Sequence, residues 1–237
     1  MGSSSSKSNQ GAGSGASRLA PVQQGQSGSP PDSSHTARTP MRPDIRRQIL
    51  ETIQASLHDV PYAIIGGTAL AEHGGASDAS EVDVLLGKGV SKASTESLLM
   101  KRSSGRMVRR DHGRFGFVWR DGTVFPIHLV TDVDLILPLD VNADTQIIRG
   151  TRIATLVFML NSKAHAWQNR DSDREAKRER DARDIVFCLK LLRAQQGEPV
   201  DPKRLNWVYN KNFWNPFLAA FPDTTVMFRD AGLSYDG

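Results

Sequence analysis

The chain has 237 residues, a net charge of +4 and 38% hydrophobic residues, which suits one good-sized domain, or a domain with a smaller helical piece. No run approaches the roughly 20 apolar residues of a membrane-spanning helix, no apolar stretch follows a basic start as in a secretory signal, and the single Cys188 excludes a disulfide framework and a cysteine-based zinc site. Residues 1–43 carry a net of +3, from Lys7, Arg18, Arg38 and Arg42 against Asp32, so the remainder is nearly neutral and gives little support to nucleic-acid binding.

Residues 1–43 are Ser, Gly, Pro and Gln with few apolar side chains. Such a segment cannot bury enough surface to offset the entropy of ordering, so a disordered tail is predicted. It opens "MGSSSSK", which fits the Met-Gly-x-x-x-Ser signal for myristoylation of Gly2, although a Ser-rich tail also matches by chance. A single myristoyl chain gives only weak, reversible attachment. The expected location is the cytoplasm, with membrane association if Gly2 is acylated.

Residues 44–150 read as an α/β core. "DIRRQILETIQASLHDV" spaces Ile45, Ile49, Leu50, Ile53 and Leu57 helically, with Asp44 as the expected N-cap and Pro61 beyond its end. "YAIIGG" reads as a buried strand entering a glycine turn, "TALAEHGG" as a short helix ended by glycine, "EVDVLL" as a second strand and "SKASTESLLMK" as a helix. A meander follows, "RMVRRD", "RFGFVWR" and "TVFPIHLV", with a hairpin signal at Asp121-Gly122. Residues 151–237 read as helical. "TRIATLVFMLNSKAHAW" puts Ile153, Leu156, Leu160, Ala164 and Trp167 on one face, and "REAKRERDARDIVFCLKLLRA" does so with Ile185, Cys188, Leu189 and Leu192. Short aromatic-rich helices close the chain. The order implies an α+β fold with a small mixed sheet and a helical C-terminal half.

Chemistry concentrates in "AIIGGTALAEHGGASDASEVDVLL". Gly66 and Gly67 sit where a strand turns into a helix, where a phosphate can approach the backbone, and Thr68 adds a hydroxyl. The plainer reading is a tight turn. In a strand, Glu81 and Asp83 share a face while Val82 and Val84 point to the core. Two adjacent carboxylates repel unless a cation lies between them, and Mg²⁺ is commonly held by one or two carboxylates plus substrate phosphates. The alternative is the solvated face of an edge strand. On the long charged helix Asp181 lies one turn before Ile185 on the apolar stripe and needs a partner such as Lys163 or an arginine, which a structural salt bridge would also satisfy. "KRSSGRMVRRDHGR", residues 101–114, reads as a charged edge strand, or as a grip for RNA or triphosphate.

Strand, Gly-Gly, helix, then acid-apolar-acid-apolar resembles the signature of the DNA polymerase beta-like nucleotidyltransferase superfamily. "NSKAHAW" with Lys163, and "RDARDIVFCLKLL" with Asp181, Asp184 and Ile185, resemble the two helices of its small fungal and bacterial members. The similarity runs in order over roughly residues 45–193. It implies Gly66, Gly67 and Thr68 around a triphosphate and Glu81 and Asp83 as ligands of Mg²⁺ or Mn²⁺. It gives Lys163 and Asp181 the task of positioning the nucleotide or holding the helices on the sheet. The implied reaction transfers a nucleoside monophosphate from an NTP to a hydroxyl of an unspecified RNA, protein or small molecule. The family also places a third carboxylate on a neighbouring strand. Here that position, between Ile127 and Leu129, is His128, unless the register shifts to Asp132 or Asp134. Histidine can act as a base near neutral pH but is a poor Mg²⁺ ligand. The expectations are therefore an enzyme using His128 or a displaced aspartate, a non-catalytic nucleotide-binding or scaffold protein, or a tail-anchored interaction module.

Overall fold

The computed structural model describes residues 40–76, 79–110, 114–171, 174–195 and 200–234. Gly2 and most of the expected tail lie outside the described residues. Packing begins earlier than composition suggests: Met41 is 3% exposed, and its N–H donates to the Ala79 carbonyl.

Helix α1 (Pro43–Ser56) buries Ile45, Ile49, Leu50 and Ile53. Its N-cap is Arg42, so Asp44 is not the cap. Pro43 takes the first helical position, where a missing N–H costs nothing, and this moves Asp44 into the first turn. Strand β1 (Tyr62–Ile65), fully buried, leads directly into α2 (Gly66–Glu72). Strand β2 (Val82–Leu86) and helix α3 (Lys92–Arg102) follow, then β3 (Met107–Arg109), β4 (Phe115–Val118) and β5 (Val124–Val130) as the expected meander.

One hairpin was not anticipated from the sequence. Strands β6 (Thr145–Ile148) and β7 (Thr151–Ala154) pair antiparallel around Arg149 and Gly150, both at positive φ (+49° and +81°). Ile153 thus belongs to a strand, beside Ile64 of β1, and not to the helix predicted from residue 151. The reason is local: Thr155 caps the helix by accepting a hydrogen bond from the Phe158 N–H, so helix begins only at Leu156.

The strands form one seven-stranded sheet in the order β3-β4-β5-β2-β1-β7-β6, with β2–β5 and β1–β7 parallel and the other pairs antiparallel. The fold is α+β, as expected, and β2 lies in the middle of the sheet. Glu81 and Asp83 are therefore not on an edge strand. The charged β3 is an edge, as the plainer reading of residues 101–114 required; Arg109 pairs with Glu96, and Arg102 with Asp59 at 2.6 Å.

Helices α5 (Leu156–Gln168) and α6 (Glu175–Gln195) pack on each other through Ala164, Trp167, Ile185, Cys188 and Leu189. A 3₁₀ turn (Pro202–Leu205), α7 (Lys211–Ala220) and α8 (Thr224–Asp230) cover them. Phe213, Phe217 and Phe228 are fully buried there and meet Trp167 and one another edge-on or stacked. Among the described residues no helix is long and apolar enough to cross a membrane.

Candidate functional site

The alternation along β2 decides where its carboxylates go. Val82 and Val84 are completely buried, paired in register with Ile127 and Leu129 of β5. Asp83 lies on the opposite face, and its partner across the parallel pair is His128. Glu81, just before the strand, brings its Oε2 to 3.5 Å from the His128 Nε2. Two acids and an imidazole thus share one end of the sheet.

The glycine turn is built against the same carboxylates. Gly66 has φ +69°, in the left-handed region, and a Cβ there would sit 2.4 Å from Asp83 Oδ2. Glycine is required twice over, by the backbone and by the aspartate. Thr68 departs from expectation. It is 1% exposed, and its hydroxyl donates to the Glu81 carbonyl at 2.9 Å. That bond ties α2 to the start of β2, so the hydroxyl is not directed at a ligand.

Asp83 is half-buried, and its carboxyl is pushed up to about 6, first by burial and then by the charge of Glu81. His128 and Lys163 pull in the opposite direction without cancelling these effects. The acids are held close together at an electrostatic cost, as in a site awaiting a positive charge.

Lys163, on α5, faces them across the cleft. Its Nζ lies 3.0 Å from Asp181 Oδ1 and 2.7 Å from Asp184 Oδ2, and Arg170 Nε lies 3.0 Å from Asp181 Oδ2. Burial alone would lower the Lys163 pKa, but the two carboxylates outweigh it and hold the ammonium above its usual value. Side-chain exposures of 15% for Lys163 and 3% for Asp181 mark a buried ionic knot between α5 and α6. The sequence anticipated Lys163 with Asp181. Arg170 and Asp184 as further partners emerge only in three dimensions.

A cleft of about 440 Å³ joins these parts. Gly66, Gly67, Glu81 and Asp83 line one side, and Lys163, Asp181 and Asp184 the other, together with Lys177, Arg180 and Arg183. Among the described residues these last three have no ion-pair partner. The sequence suggested only a solvated, self-paired face for them. Their three-residue spacing, around an Asp181 already assigned to the inner side, was the available signal.

Asp132 and Asp134 are committed elsewhere. Both lie on α4 (Asp132–Leu135), beyond the end of β5. Asp134 Oδ2 accepts from the Thr131 N–H and hydroxyl and lies 2.8 Å from Lys92 Nζ. Those contacts hold its carboxyl well below the usual range, the lysine most of all. Asp132 accepts from the Val133 N–H at 3.0 Å. The register therefore leaves His128 beside Asp83.

No family model matches the sequence, and no curated protein does. Solved structures do match. An antigenic nucleotidyltransferase-like protein from Paracoccidioides brasiliensis superposes with a TM-score of 0.60 at 18% identity, over 83% of this chain and 97% of that one. The chain has a nucleotidyltransferase-like fold. Looser matches to the same fold are JHP933 from Helicobacter pylori and the antibiotic-resistance factor ANT(2'')-Ia. The first gives a TM-score of 0.48 at 16% identity over 78% of this chain and 76% of that one. The second gives 0.40 at 12% identity over 80% and 97%.

Within the nucleotidyltransferase-like fold, the donor set suits one divalent cation better than a pair. Glu81 and Asp83 supply two carboxylates, and substrate phosphates commonly complete such a site. The neighbouring strand offers an imidazole where a third carboxylate would serve a second ion. Among the described residues, no three His, Cys, Asp or Glu side chains stand grouped around a common point as a ready-made metal cage.

Proposed function

We propose that the cleft binds a nucleoside triphosphate together with one divalent cation, Mg²⁺ or Mn²⁺, held by Glu81 and Asp83. The observation that carries this reading is the two-signed cleft. Crowded carboxylates lie beside the glycine turn, and Lys177, Arg180 and Arg183 face them without acidic partners. A triphosphate with its cation complements both sides. The phosphate oxygens meet the basic residues, and the cation relieves the repulsion between Glu81 and Asp83. Gly66 and Gly67 leave the backbone open for close approach. Lys163 and Asp181 support this binding by fixing α5 and α6 against each other behind the basic residues.

The chemistry that fits such a ligand is nucleotidyl transfer. A hydroxyl oxygen of an RNA, protein or small-molecule acceptor attacks the α-phosphorus. The new O–P bond forms, the bond to the bridging oxygen of the β-phosphate breaks, and pyrophosphate leaves with the electron pair. The acceptor's proton passes to solvent or to a nearby base. The cation, when bound, neutralises charge on the phosphates as it builds up.

His128 beside Asp83 favours a second reading, nucleotide binding without transfer, because the neighbouring carboxylate is missing. The two readings separate experimentally. Equilibrium binding of each NTP, with and without divalent cation, tests the shared claim. Release of pyrophosphate from α-labelled NTP in the presence of candidate acceptors tests transfer. Binding without pyrophosphate release selects the second reading, and absence of binding for every NTP contradicts both.

A further inference from the structure

Resting on the nucleotide-binding reading, we infer that the cleft selects a transition-metal divalent ion, with His128 Nε2 joining Glu81 and Asp83 as the third protein ligand, and that it discriminates against Mg²⁺. Three observations carry this.

First, the register fixes His128 next to Asp83 on the same face of the sheet, since paired residues of parallel strands project together. Second, the His128 Nε2 is 3.5 Å from Glu81 Oε2. Two donors each about 2.1 Å from a common ion stand roughly 3.0–3.5 Å apart at right-angled to tetrahedral geometry, so this separation is one a shared ion would impose. Third, the two aspartates that could replace the imidazole are bound to Lys92, to Thr131 and to the chain beside them. The His128 side chain is 48% exposed, so solvent and ions reach it.

The choice of ion follows from ligand chemistry. Mg²⁺ takes oxygen donors, keeps its water and gains little from a neutral nitrogen. Imidazole suits Mn²⁺, Zn²⁺ and their neighbours, whose affinity for mixed nitrogen and oxygen sites rises along the transition series. An all-carboxylate site tolerates Mg²⁺. This chain has changed one donor, and the predicted consequence is a change of cation.

Mn²⁺ is the probe of choice because it is paramagnetic. The full chain, stripped with a chelator, is titrated with Mn²⁺ and the free ion is followed by electron paramagnetic resonance, with Mg²⁺ and Zn²⁺ as competitors. Spin-echo modulation then tests for a coordinated ¹⁴N. The expected result is binding about tenfold or more tighter for Mn²⁺ than for Mg²⁺, with nitrogen modulation. In His128→Asp the modulation disappears and Mg²⁺ competes more effectively. His128→Gln, read in the same way, serves if the aspartate variant does not fold. Nitrogen-free spectra, no Mn²⁺ binding, or a Mn²⁺ preference unchanged by either substitution would overturn the inference. ATP binding measured on the same samples separates the two claims. ATP bound with Mg²⁺ but no coordinated nitrogen defeats only the role of His128, whereas no ATP binding with any ion defeats the nucleotide reading.

Discussion

Asp83 and Asp181 are carboxylates lining the same cleft, yet their surroundings are opposite. Asp181 is clamped by Lys163 and Arg170, each at 3.0 Å, and its charge is matched within the fold. Asp83 has Glu81 for a neighbour and is pushed up to about 6 by burial and by that neighbour. The helical side of the cleft is satisfied by its own residues, and the sheet side is not. A carboxylate with internal partners holds the fold together, and one crowded by its own kind marks where something external is expected.

The largest effect should fall on the satisfied side. Asp181→Ala leaves Lys163 and Arg170 facing a void between packed helices, and breaking such a buried pair costs about 3–5 kcal/mol. For a chain of this size that is roughly 6–20 °C of melting temperature, measurable by calorimetry. A loss below about 1 kcal/mol, the range of a surface pair, would mean that the knot does not hold α5 to α6.

Asp83→Asn should act in the opposite direction. Without a cation the variant is more stable than wild type at pH 7.5, by up to about 3 kcal/mol if the whole shift is realised. The sign follows from linkage. A carboxyl raised to about 6 from 3.8 binds its proton more tightly folded than unfolded. Its contribution is complete below about pH 4 and is lost as pH rises to about 6. Wild-type stability minus that of the variant, from urea melts without metal, should decline through this window and then level off. A flat difference would show that Asp83 is not crowded.

Gly66→Ala should cost about 1–3 kcal/mol, from its positive φ and from collision with the Asp83 carboxylate. Asp83→Asn in the same chain should not remove the backbone part of that loss. The smallest stability effect is expected at Arg180→Glu and Arg183→Glu. Both side chains are exposed and have no ion-pair partner among the described residues, so unfolding free energy should move by no more than about 0.5 kcal/mol while NTP affinity falls.

This contrast also separates what was readable in the sequence from what was not. Period-two alternation placed Val82 and Val84 inward and Asp83 outward, and the helical stripe placed Asp181 inward; both are local signals. His128 was aligned with the acids because its strand has an even pattern, and the β2–β5 register bears that alignment out. The hairpin at Arg149-Gly150 escaped because Arg-Gly is a weak turn signal and the apolar run "IATLVFML" continues smoothly from strand into helix. Thr68 was misjudged because nothing local shows that its hydroxyl meets a carbonyl thirteen residues later. Lys177, Arg180 and Arg183 were legible as charges but not as one side of a cleft, since the opposite side lies nearly a hundred residues away in the chain.

The most direct test of the central claim is a thermal shift on the full chain with each NTP and a divalent cation, for wild type, Asp83→Asn and Arg180→Glu. Ligand at one hundred times its Kd should stabilise wild type by about 2.7 kcal/mol. The account predicts a cation-dependent shift in wild type that is lost in Asp83→Asn and weakened in Arg180→Glu. An equal shift in all three proteins, or none in well-folded wild type, would contradict it.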